Sequence, residues 1–149
     1  MKAKEVFDRC QSDDQLPNAD IVIGADTIVV KDGHVLEKPK DATDAIRMLT
    51  QLSGTTHQAL TGVQIFSKAP NGEVEKINFV EITDVTFKKL DLETIKAYVD
   101  SGEPFDKAGA YGIQGNASAF VDSIKGDYWN VVGLPRNRLC SELSKLCRP

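Results

Sequence analysis

Residues 21–39 constrain this chain more than any other stretch. Ile21, Val22 and Ile23 form a β-branched apolar run too short for helical periodicity, which reads as a strand buried on both faces and ended by Gly24. A carboxylate, Asp26, appears where that strand gives out, behind Gly24 and Ala25, residues small enough to let other backbone or a ligand approach closely. Thr27 adds a hydroxyl before Ile28, Val29 and Val30 resume the apolar run. Lys31, Asp32, Gly33 and His34 make a turn, and Val35 with Leu36 reads as a second short strand leading to Glu37, Lys38 and Pro39. A hairpin of this shape brings Lys38 toward Asp26, setting a carboxylate and a cation beside small residues at a sheet edge. The plain alternative is an ordinary hairpin carrying a solvated ion pair.

A length of 149 residues with 41% hydrophobic content supports one domain with a real core. The formal charge of -4 argues against a nucleic-acid or anionic-membrane surface, although a local basic pocket for phosphate would be hidden in that total. The first twenty residues are polar and no apolar run approaches the length a bilayer needs, so the expectation is a soluble, cytoplasmic protein without a membrane partner. Cys10, Cys140 and Cys147 are odd in number and lack metal-ligand spacing. On one helix Cys140 and Cys147 would stand about 10 Å apart, too far for a bridge. All three read as reduced packing residues.

In chain order, Ala3, Val6, Phe7 and Cys10 form the apolar face of a helix, within which the chain begins, and residues 11–18 make a polar connector with Pro17. Asp41 is placed to cap a helix whose stripe is Ala42, Ala45, Ile46, Leu49 and Leu52, stopped by Ser53 and Gly54. Residues 57–66 read as a strand, Pro70, Asn71 and Gly72 as a turn, and residues 74–87 as a long strand with Ile77, Phe79, Val85 and Phe87 on one face. Asp91 caps a further helix with Leu92, Ile95 and Val99 facing inward. Residues 119–124 and 128–132 read as strands, and Pro135 opens a last helix with Leu139, Leu143 and Leu146 inward. Strands pairing both as hairpins and around helices predict an α/β or α+β domain with a mixed sheet.

Residues 102–115 hold four glycines in fourteen residues together with Asp106, Lys107 and Gln114. This is the composition of an ordered loop pinned by Phe105, Tyr111 and Ile113, not of a linker. Glycines with a lysine can cradle phosphate oxygens through backbone N–H groups. Neither the Walker spacing nor Gly-x-Gly-x-x-Gly occurs, so a P-loop or Rossmann assignment has no support.

Gly24-Ala25-Asp26-Thr27, Glu37-Lys38-Pro39, the stretch 102–115 and Asn130-Val131-Val132-Gly133-Leu134-Pro135 together resemble the Maf family of nucleoside triphosphate pyrophosphatases, in the family's order and over nearly the whole chain. The resemblance implies an elongated mixed sheet with flanking helices and a cleft, and a homodimer. It also implies hydrolysis of a nucleoside triphosphate between the α and β phosphates with a divalent metal, Mg²⁺ or Mn²⁺. By the same resemblance Asp26 is the catalytic carboxylate, orienting a water or the metal. Lys38 neutralises phosphate charge, Lys107 matches a motif lysine, and Lys2 with Ala3 matches the family's Lys-Ala pair. Thr27 and Gln114 sit beside the base, with the identities of the branch that takes dTTP and UTP. Family members begin with a strand and a Ser-x-Ser-Pro-Arg-Arg phosphate loop, followed by a glutamate. Residues 1–149 contain neither, so the expectation is a Maf-like domain N-terminally truncated relative to the family.

Each residue also has a plain structural reading. Lys38 and Lys107 taken singly are surface lysines, Gln114 a loop amide bonded to backbone, and Thr27 a residue chosen for β propensity. Asp20 and Glu37 read as solvated or capping, His34 and His57 as structural or exposed, and Trp129 as core or dimer interface. Two other functions stand beside the pyrophosphatase: an inactive nucleotide-binding or interaction module that keeps the cleft without its phosphate loop, and a different phosphate-ester hydrolase on a similar scaffold.

Overall fold

The computed structural model describes residues 2–13, 19–69 and 71–146, without the side chain of Lys2. The end of the polar connector with Pro17, the turn residue Pro70 and Cys147 lie outside these residues. Helix α1 is Lys2–Ser12, strand β1 Ile21–Lys31, β2 His34–Leu36, helix α2 Ala42–Leu52, β3 Thr56–Lys68 and β4 Val74–Phe87. Helix α3 follows at Leu92–Asp100, then β5 Val121–Lys125, the one-turn helix α4 Tyr128–Val132 and helix α5 Arg136–Leu146. The strands form one sheet in the order β2-β1-β3-β4-β5. The expected α/β class is therefore present, with antiparallel pairing between β1 and β2 and between β4 and β5.

The described residues group into two compact units, one within 1–26, 62–80 and 136–149, the other within 27–61 and 81–135. In the first unit α1 lays Ala3 and Phe7 onto Val22 and Phe66, with the Phe7 and Phe66 ring centroids 5.7 Å apart. Val6, expected on this face, is exposed. The two-face burial expected for residues 21–23 is overturned, because Ile23 is 41% exposed, and Gly24 does not end the strand. Gly24 serves packing instead: a Cβ there would lie 2.6 Å from the Cβ of Ala3, so a bare backbone is what lets α1 approach β1. The β3-to-β4 turn closes through Gly72 N–H to Ala69 O at 2.8 Å. Arg138 of α5 donates to Val80 O at 2.9 Å and stacks over Phe79.

In the second unit the hairpin register pairs Lys31 with His34 across a two-residue turn. Asp32 at φ 50° and Gly33 at φ 78° are the left-handed pair such a turn demands. Asp41 caps α2 by accepting from Asp44 N–H at 2.8 Å, and Asp91 caps α3 from Thr94 N–H at 2.7 Å. Ala45, Leu49 and Leu52 of α2 are fully buried against Phe87, Ile95, Val99 and Phe120 in the core of this unit. Leu92, expected inward, is exposed, and Tyr98 takes the core position. In α5 Leu139 alone of the three expected leucines is buried. Cys10 and Cys140 are free thiols as expected, but Cys140 is exposed, so the packing part of the cysteine reading fails there.

Residues 128–132 form a helical turn where the sequence predicts a strand. The Asp127 carboxylate accepts from Trp129 N–H at 2.8 Å, and Gly133 at φ 122° closes the turn by donating to Trp129 O and Asn130 O. Capping at both ends thus overrides the β preference of Tyr, Trp and Val.

The close approach of α1 gives a direct test. Gly24→Ala should lower stability by about 1–3 kcal/mol in urea unfolding, and Ala3→Gly in the same chain should restore part of it, less the helix-propensity cost of the new glycine.

Candidate functional site

Asp26 is exposed on β1 in the first unit. It lines a cleft of about 650 Å³ whose floor includes Gly24 and Ala25 of β1 and Gly62 and Gln64 of β3, with Asn78 of β4 beside them. Gly24, Ala25 and Gly62 leave backbone bare along part of the lining, Val63, Phe79 and Val80 make another part apolar, and a Cβ at Gly62 would meet nothing within 4 Å. Such a lining offers a ligand bare strand backbone, an apolar wall and a single carboxylate. Among the described residues no cluster of three His, Cys, Asp or Glu side chains could cage a metal. A lone exposed carboxylate still suits Mg²⁺, which keeps several waters and is usually held by one or two carboxylates plus substrate phosphates.

The other four predicted residues belong to the second unit. Lys38 is exposed just past β2, beside the buried Pro39. The following loop is built onto this point: Gly109, at φ 67°, donates its N–H to Glu37 O at 3.1 Å, and a Cβ there would crowd Val29 at about 3.0 Å. Ala110 also takes a positive φ of 62°. Lys107 pairs with Asp106 at 2.6 Å. That hydrogen bond, with a smaller contribution from the charge of Lys38, holds the Asp106 carboxyl below its ordinary range.

Gln114 is exposed between Gly112 and Gly115, and a residue the sequence did not single out shapes its surroundings. Glu103 accepts from the Tyr98 hydroxyl at 3.0 Å and from Asn116 N–H at 3.0 Å, while Tyr98 accepts from Gly112 N–H at 3.2 Å. A Cβ at Gly115 would overlap the Glu103 carboxylate, and one at Gly112 would stand 3.2 Å from Lys107 Cε. Burial, first of all, raises the Tyr98 hydroxyl well above its usual range, so it remains a donor. The signal that could have revealed Glu103 is the pair of glycines flanking Gln114, which need some bulk to make room for.

Thr27 is half-buried on β1, its Oγ1 2.8 Å from Thr61 Oγ1 on β3. Thr61 donates in turn to Asn130 O at 3.1 Å. Asn130 is fully buried and its Nδ2 donates to Ala59 O and Thr83 Oγ1, both at 3.0 Å. A lone asparagine in an otherwise apolar run was the available sign of this network. His57, read as structural or exposed, is buried, with Nε2 2.8 Å from the Tyr111 hydroxyl and its ring edge-on to Phe87. It thereby anchors the loop that carries Lys107 and Gln114. His34 is exposed and Trp129 half-buried.

The first unit thus holds a cleft with one carboxylate, and the second a glycine-rich loop that carries Lys107 and Gln114. The family described as Maf-like protein matches residues 1–146, and the chain belongs to it. A human protein named "Probable bifunctional dTTP/UTP pyrophosphatase/methyltransferase protein" is 48% identical over 151 residues, covering 99% of this chain and 24% of that protein. The dTTP/UTP pyrophosphatase of Clostridium acetobutylicum is 46% identical over 93% of this chain and 69% of its own length. That of Koribacter versatilis is 55% identical over 83% of this chain and 61% of its own length. The chain therefore spans from about a quarter to about two thirds of the length of these relatives.

Burial and the nearby Lys31 charge push His57 down to about 4 from 6.5. The unfolded chain then binds a proton between those values that the folded one refuses, so this group makes stability fall as pH drops from about 6.5 to about 4. Chemical unfolding across that range should show a slope of up to about one proton, and His57→Phe should flatten it.

Proposed function

We propose that this protein hydrolyses dTTP- and UTP-type nucleoside triphosphates between the α and β phosphates, releasing the nucleoside monophosphate and pyrophosphate. The observation that carries this reading is Asp26 standing exposed in a cleft floored by Gly24, Ala25 and Gly62. The names of the relatives support the same reaction and substrates.

A triphosphate repels a bare carboxylate, so the site must supply positive charge. Lys38 and Lys107 take that part, Lys107 exchanging its bond to Asp106 for one to a phosphate oxygen. Asp26 orients the attacking water and accepts its proton. The α-phosphorus-to-bridging-oxygen bond breaks as the new phosphorus–oxygen bond forms, and the lysines stabilise the charge that gathers on the leaving pyrophosphate. Asp26 is the residue that would hold a divalent metal, which when bound adds Lewis-acid polarisation and charge neutralisation. Thr27 and Gln114 face the base. A carboxamide can pair with both a carbonyl and an N–H of a uracil or thymine ring. The family resemblance supports a homodimer, as do the exposed apolar side chains of Val80 and Ile82 on β4. Among the described residues no helix is long and apolar enough to cross a membrane, and we place the protein in the cytoplasm.

Asp26→Asn is nearly isosteric and should leave the melting temperature in place while lowering UTP turnover about a hundredfold or more. Chromatography should find pyrophosphate as the product. Orthophosphate as the first product, or an undiminished mutant, would overturn the assignment. Gln114→Ala should raise KM for UTP and dTTP more than it changes kcat, as steady-state kinetics will register.

A further inference from the structure

Thr27 stands beside a hydroxyl whose proton is already spent. Thr61 is fully buried and its Oγ1 donates to the carbonyl of Asn130 at 3.1 Å. A carbonyl only accepts, so the single Thr61 proton is committed there. That carbonyl also accepts from Gly133 N–H at 3.0 Å, which uses its second lone pair. The 2.8 Å separation between Thr27 Oγ1 and Thr61 Oγ1 requires one proton between the two oxygens. Thr61 has none left, and its burial leaves no room for solvent to lend one. The proton is Thr27's. Its hydroxyl donates inward and presents only lone pairs to whatever approaches from outside.

Thr27 is half-buried, and Gly133 puts no side chain beside its hydroxyl. Gly133 holds φ 122°, and around the position of its absent Cβ the Thr27 hydroxyl is the one group beyond its chain neighbours within 4 Å among the described residues. We propose that Thr61 is a positioning residue for base selection: by locking the Thr27 hydroxyl as an obligate acceptor, it favours bases that present an imide N–H. The proposal rests on the reading above in placing Thr27 beside the base. Uracil and thymine carry an N–H between two carbonyls, whereas cytosine offers a bare ring nitrogen at the same position. Against an acceptor-only hydroxyl that nitrogen meets lone pair with lone pair, and a site built to bond one partner rejects the analogue that cannot supply it.

The test compares UTP with CTP on the full chain in the wild type, Thr61→Val and Thr61→Ser. Valine keeps the shape and removes the acceptor oxygen, which frees the Thr27 proton to point outward. Serine keeps the hydroxyl and should behave as wild type. The ratio of kcat/KM for UTP over CTP should fall about tenfold in Thr61→Val, with the KM for UTP rising more than kcat falls. Thr61→Ser should retain the wild-type ratio. A valine variant that keeps the ratio, or a serine variant that loses it equally, overturns the proposal while leaving the pyrophosphatase reading intact. If the wild type hydrolyses no triphosphate, that reading fails on its own, and calorimetric titration with UMP and CMP then supplies the ratio as dissociation constants. A narrowed UMP preference in the valine variant supports the proposal, and an unchanged preference or no binding at all overturns it. Should valine unfold the chain, Thr61→Ala provides the same two readouts.

Discussion

The amide of Asn130 has no access to water, and its two donors tie the strands of the second unit together, while its Oδ1 is buried without a hydrogen-bond partner. Its two N–H groups go to Ala59 O on β3 and Thr83 Oγ1 on β4. Thr83 then accepts from Asp127 N–H at 3.1 Å and donates to Asp127 O at 3.0 Å, so its hydroxyl is fully used as well. Removing one partner would strand buried polar groups, each at about 1–3 kcal/mol. The helical turn of residues 128–132 is accordingly fixed to the two central strands by side-chain chemistry. From that fixed point the carbonyl of Asn130 reaches Thr61, and through Thr61 the hydroxyl of Thr27.

The glycine-rich loop is ordered by a comparable set of ties. Glu103 binds a backbone N–H and a phenol, Tyr111 is tied to His57, and Gly109 is tied to the hairpin at Glu37. Each tie lies behind Lys107 and Gln114, which are left toward solvent. Lys107 is held by Asp106 at 2.6 Å, which fixes where its ammonium stands.

Much of this was legible from residues alone. The turn at Asp32 and Gly33, the caps at Asp41 and Asp91, the stripe of Ala45, Leu49 and Leu52 and the long strand ending at Phe87 follow from local rules that act over a few positions. What was missed depends on partners distant in sequence. The Tyr-Trp-Asn-Val-Val run carries strand propensity, and the bonds of Asn130 to Ala59 and Thr83, 71 and 47 residues away, cannot be read from a window around it. The exposure of Ile21 and Ile23 escaped for the opposite reason, since apolar character does not reveal what covers a face. Of the residues proposed for the site, Asp26, Lys38, Lys107, Thr27 and Gln114 were singled out through motifs, whereas Glu103 and Thr61 carry no signature of their own.

Gly115 and Glu103 occupy the same space in succession: the carboxylate sits where a Cβ on residue 115 would be. The two positions are therefore not free to drift apart. A chain that acquired alanine at 115 would have to shorten or withdraw the side chain at 103, and would then lose the acceptor that orders Asn116 and Tyr98. Sequence change at this loop is confined to paired steps, and the first of any such pair passes through a form in which the segment bearing Gln114 has come loose.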